Sequence, residues 1–77
     1  MNTISLVEEL NKIGVPGRHY SINGDLISDT YILNQVYDKW EFFYFDEKGN
    51  KNDCKIFNNE NDACMYLYKV LETEMKY

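Results

Sequence analysis

The sequence predicts a small α+β domain: a three-stranded antiparallel meander, with room for a fourth short strand, flanked by an N-terminal and a C-terminal helix. Three observations carry this expectation. Apolar residues recur at helical spacing near both ends. Between them, three candidate strands lie close together, separated by turn residues. The chain has only 77 residues, so 1–77 is expected to be a single α–β–β–β–α domain.

The first helix is read from Asn2 to Ile13. Asn2 or Thr3 is placed to cap it, because a short polar side chain there accepts from a free backbone N–H. Ile4, Leu6, Val7, Leu10 and Ile13 form one apolar face, with Glu8, Glu9 and Lys12 opposite. Gly14 ends the helix, and Val15-Pro16-Gly17 cannot continue it. His19 to Ile22 reads as a short extended piece entering the turn pair Asn23-Gly24, and Asp25 to Asp29 as loop. Three strands follow, over 30–37, 40–46 and 51–57. Asp38-Lys39 is short enough for a tight hairpin, and Gly49 supplies the left-handed conformation that closes a bulged turn after Asp46-Glu47-Lys48. In the last helix Asn58 or Asn59 is the cap, and Glu60 and Asp62 favour its positive end. Ala63, Cys64, Leu67, Val70 and Leu71 make its apolar stripe, with Lys69, Glu72 and Glu74 outside it.

Composition bounds the function. An apolar share of 44% marks a folding chain, and seven Tyr, four Phe and one Trp are more ring than a core of this size encloses. Some rings are therefore expected at the surface. Folding at this length buries only about 60–65% of the unfolded surface. That is too little to wall a deep substrate cleft, so a binding face is expected and catalysis is not. A net charge of −5 and a pI near 4.6 argue against holding a phosphate backbone, and suit a basic protein partner. Simple solubility explains the same acidity.

No run approaches the ~18 apolar residues of a membrane span, and the first residues lack the basic-then-apolar pattern of a secretory leader. Cys54 and Cys64 have neither CxxC spacing nor a nearby histidine. The expectation is a cytoplasmic, reducing compartment with two free thiols, no cofactor and no metal.

Register decides what each sheet face offers, because strand side chains alternate. With Asp38-Lys39 as a two-residue turn, Tyr37 faces Trp40 and Leu33 faces Tyr44. With Gly49 closing a bulged turn, Phe42 faces Cys54 and Trp40 faces Ile56. Leu33, Tyr37, Trp40, Phe42, Tyr44, Cys54 and Ile56 then lie under the helices. Ile32, Asn34, Val36, Glu41, Phe43, Phe45, Asp53, Lys55 and Phe57 take the other face. Rings among charges there resemble a protein-binding site, unless the N-terminal helix covers that face and makes a sandwich. A one-residue change in either turn swaps the two faces. The candidate partner-binding residues are Phe43, Phe45, Glu41, Asp53 and Lys55 on the open face, with Asp25 and Asp29 in the adjoining loop.

Signals for chemistry are weak. His19 has no local acid or nucleophile. A pairing with Cys54 or Cys64 is left open, against the plainer reading of a loop histidine and two core thiols. Asp25 with Asp29, and Glu60 with Asp62, lack the spacing of a calcium loop and are explained by loop solvation and capping. Gly14-Val15-Pro16-Gly17 lacks the ending of a phosphate loop. Ring-rich strands can stack bases, but here Glu41, Asp46, Glu47 and Asp53 lie among them. No catalytic residue is assigned.

Three stretches resemble a group of small bacterial immunity proteins of polymorphic toxin systems. They are Tyr20 to Gly24, Trp40 to Gly49, and Phe57 to Leu67, where Phe57, Glu60, Ala63, Tyr66 and Leu67 carry an acidic helix-start pattern. The likeness extends from about residue 10 to residue 71. One departure is Asp46-Glu47-Lys48-Gly49, where the group is expected to have a Ser-Glu-Arg-Gly turn. The resemblance implies a non-enzymatic cytoplasmic protein, a monomer or weak homodimer. It would bind a cognate secreted toxin domain, basic and of nuclease type, and block it. A small regulatory adaptor or homodimeric interaction domain is the alternative.

Overall fold

The computed structural model describes residues 1–75. Its elements are α1 (Thr3–Lys12), a 3-10 turn (Gly17–His19), β1 (Tyr20–Ile22), β2 (Thr30–Val36), β3 (Lys39–Phe45), β4 (Lys51–Phe57) and α2 (Glu60–Met75). The helix starts follow local chemistry. Asn2 Oδ1 accepts from the Ser5 N–H at 2.8 Å, and Ser5 Oγ accepts from the Asn2 N–H at 3.0 Å, a reciprocal capping box. Gly14, at φ +83, ends α1. Asn59 Oδ1 accepts from the Asp62 N–H at 2.8 Å at the start of α2. The Glu60 carboxylate also accepts from the Thr3 N–H at 3.0 Å, tying the two helix starts together.

The sheet has the order β1-β2-β3-β4. The meander β2-β3-β4 is antiparallel as expected, but the fourth strand, β1, pairs parallel to β2, so the sheet is mixed. The reason lies in residues 23–29, which return along the sheet as a crossover instead of closing a hairpin. Asn23, at φ 52, donates its N–H to Leu33 O at 2.9 Å and accepts from the Gln35 N–H at 2.7 Å. Ser21 Oγ donates to Asp25 O, and Thr30 Oγ1 to Ser28 O. A side chain at Gly24 would put Cβ 3.0 Å from Ser21 Oγ, so the close approach selects glycine.

Both turns differ from expectation in an instructive way. The β2–β3 turn is Tyr37-Asp38, with Val36 opposite Lys39 and Leu33 opposite Phe42. This shift of two residues preserves the faces of β2 and β3 but frees Tyr37, which is 95% exposed and not in the core. In the next turn Gly49 takes φ 82 as expected, and Tyr44 pairs with Asn52. A bulge at Asp53, φ 56, then moves the register by one, so Phe42 faces Lys55 and Trp40 faces Phe57. Everything beyond the bulge changes sides. Phe57 joins the core, Asp53 and Lys55 turn to the helix side, and Cys54 and Ile56 turn away from it.

Both helices pack on one face, so no sandwich forms. Leu6, Leu10 and Val15 meet Leu33, Trp40 and Phe42 of the sheet and Ala63, Cys64, Leu67 and Leu71 of α2. Each large side chain buried there stabilises the fold by about 1.5–3 kcal/mol. Ile4, read as part of the apolar face of α1, is 72% exposed. Among the described residues no helix is long and apolar enough to cross a membrane.

Candidate functional site

The face without helices is less open than its position implies. Ile32 and Phe43 pair across β2 and β3 and are both buried. The Ser21 and Thr30 hydroxyls place the crossover on the Ser21 side of the sheet, next to Ile32, which pairs with Ser21. The ring of Phe43 is flanked by Phe45, centroids 6.3 Å apart, and by the Lys51 ammonium at 4.8 Å. Lys51 is also 3.7 Å from Glu41. Phe43 is therefore enclosed within its own fold, and Phe45 and Glu41 are half-buried beside it. This side leaves Val36, Cys54 and Ile56 exposed, together with Leu26 and Ile27 in the crossover.

The helix face holds a better-formed site. Tyr31 and Tyr44 are cross-strand partners with ring centroids 5.0 Å apart. They stand at the end of the sheet where α2 finishes and the crossover arrives. Tyr31 OH donates to the Glu74 carboxylate, and Tyr44 OH donates to Asp29 Oδ1 at 3.4 Å. Asp29 is turned by its own positive φ of 58, and Asp53 stands in the bulge. The 3-10 turn brings in His19. These six residues line a cleft of about 350 Å³, with no lysine or arginine among its described lining residues.

Burial, and then the Glu74 carboxylate, push the Tyr31 phenol well above its ordinary range. Burial followed by Asp29 also raises the Tyr44 phenol. Both phenols therefore stay protonated and serve as donors at neutral pH.

Of the sequence candidates, the fold brings together Asp29 and Asp53. Asp25 stays exposed in the crossover, where its carbonyl accepts from Ser21 Oγ. The Lys55 ammonium lies over the Tyr66 ring at 5.9 Å on the helix side. Glu41, Phe43 and Phe45 lie on the opposite face. His19, Tyr31, Tyr44 and Glu74 were not legible as site residues. The one available signal was alternation, since Tyr31 and Leu33 share a face and so do Tyr44 and Phe42.

The cleft offers carboxylates, ring faces and the His19 imidazole. It contains neither cysteine. Cys64 is buried in the core, where burial first and then Glu60 push its thiol up to about 11. Cys54 is exposed on the other face, a correction to the reading of two core thiols. Among the described residues no three His, Cys, Asp or Glu side chains converge to hold a metal ion. Carboxylates beside tyrosine faces are suited to a guanidinium or ammonium group, which pairs with the acids and stacks on the rings. No family model, curated protein or solved structure matches the chain.

Proposed function

We propose that this chain is an immunity protein of a bacterial polymorphic toxin system, a non-enzymatic protein that binds and neutralises a cognate secreted toxin domain in the producer's cytoplasm. The observation that carries the reading is the acidic tyrosine cleft: carboxylates from the crossover, β4 and α2 around two phenols, with no lysine or arginine among its described lining residues. Such a cleft favours a basic side chain from a basic toxin surface. The net charge of −5 would speed the encounter. The sequence resemblance supplies the biological setting.

The test is co-purification with the protein encoded beside this gene, followed by titration calorimetry. A one-to-one complex is expected. Asp29→Asn, Asp53→Asn and Glu74→Gln should each weaken it about tenfold, on the order of 1.4 kcal/mol, and the loss should shrink at high salt. A neighbour that forms no complex would sink the reading.

One observation favours the alternative of an adaptor or homodimer. Asn34 Oδ1, on the face without helices, is buried with no hydrogen-bond partner among the described residues, and Val36 and Ile56 near it are exposed. The exposed Val36 and Ile56 are the part of this face that a second protein would cover. Sedimentation showing a dimer that Val36→Asp abolishes would move that reading to first place.

A further inference from the structure

Tyr37 stands out on three independent counts. It is 95% exposed, the most exposed of the large apolar side chains named in the fold, and its hydroxyl makes no hydrogen bond among the described residues. It also occupies the first position of a two-residue hairpin turn with φ 58, while its neighbour Asp38 does not have positive φ. That pattern favours glycine at the first position, and a bulky residue there is an outlier. A strained backbone that presents a bare ring to water has no value for the fold, and strain of this kind concentrates at functional positions.

The base of the hairpin is firmly held. Trp40 is buried between Gln35 and Phe57 in register. Lys39 Nζ donates to Asn58 Oδ1 at 2.8 Å, pinning the turn to the corner between β4 and α2. The ring is thus displayed on a rigid support. Rigid tyrosines make strong interface anchors because little motion is lost on binding. Beside the ring are the exposed Val36 and the Asp38 carboxylate, which forms no ion pair among the described residues.

We infer that the Tyr37-Asp38 tip is a second anchor for the toxin domain, the ring entering an apolar pocket on that partner and Asp38 meeting a cation at its mouth. The inference rests on the toxin-binding reading. The tip lies six residues along β2 from Tyr31, or about 20 Å at the strand rise. A standard interface of about 800 Å² per partner is roughly 30 Å across, so one partner can span cleft and tip.

The experiment is calorimetry of the purified neighbouring toxin domain against wild type, Tyr37→Gly and Tyr37→Asn, with urea denaturation of each variant. Glycine and asparagine both accept the turn conformation, so both variants should fold with a midpoint at or above wild type. Both should bind at least 30-fold more weakly, while Asp38→Lys should lose affinity and part of its salt dependence. If wild type binds and both Tyr37 variants stay within threefold of it, the tip inference is overturned and the toxin reading stands. If wild type itself does not bind, both fall together.

Discussion

At Phe43, the face a side chain occupies and the water it meets are separate questions. Alternation along β3 correctly assigns this ring to the side without helices, where an anchor for a partner was expected. Its 1% exposure comes from the crossover side of the sheet, from Phe45 and from Lys51, none of which a strand pattern encodes. Phe43→Ala is therefore expected to cost about 3–5 kcal/mol of stability, as for a core phenylalanine. Phe45→Ala, half-buried, should cost less than half as much. Urea unfolding followed by circular dichroism separates the two cases, and equal, small losses would show that Phe43 is not enclosed. The same divide accounts for the expectation of Tyr37 in the core: a hairpin one turn position away puts it opposite Trp40.

The elements themselves were largely legible, because their signals are local. Asn2 and Asn59 cap the helices from positions where short polar residues belong, and β4 has the expected bounds. Gly49 closes the β3–β4 turn, with Asp46 as its organiser. Asp46 Oδ1 accepts from the Asn50 N–H at 2.8 Å and the Lys48 N–H at 2.9 Å, and Oδ2 accepts from Asn52 at 3.1 Å. These bonds, led by the one from Asn50, hold the Asp46 carboxyl below its usual range. A depressed folded-state pKa contributes stability that is present above the unfolded value of about 3.9 and lost as the pH falls through the folded one. Asp46→Asn should therefore lower the urea midpoint at pH 7, and the gap to wild type should narrow below pH 4. A gap that does not change with pH would place the effect in packing instead. Two features were not legible, the parallel crossover and the bulge at Asp53. Both go with contacts that no strand or helix pattern encodes: Ser21 with Asp25 and Asn23 with Leu33 for the first, and Phe57 against Tyr66 for the second. The site depended on both, so only Asp29 and Asp53 could be named in advance.

Across the whole molecule, the helices leave the Tyr31–Tyr44 end of the sheet uncovered, and the acids gather there. The two phenols are held protonated by burial and neighbouring carboxylates, so their folded-state values lie above the unfolded value of about 10. Their contribution to stability is complete below pH 10 and is lost as the pH rises beyond it, since the unfolded chain releases those protons first. Tyr31→Phe should flatten the alkaline decline. Phenolate absorbance should show Tyr31 ionising above the ordinary tyrosine range, and a titration left unchanged by Tyr31→Phe would contradict this account. One consequence concerns how the protein is made. The sheet surface formed by Leu33, Trp40 and Phe42 is sealed mainly by Ala63, Leu67 and Leu71 of α2, and Leu6 and Leu10 of α1 join the same core. During synthesis the strands are made before their lid, and the early helix must wait for the late one. At about 5–20 residues per second, the interval between β4 and the end of α2 is on the order of a second or more. For that time the residues of the most apolar sheet face exist with nothing yet made to cover them.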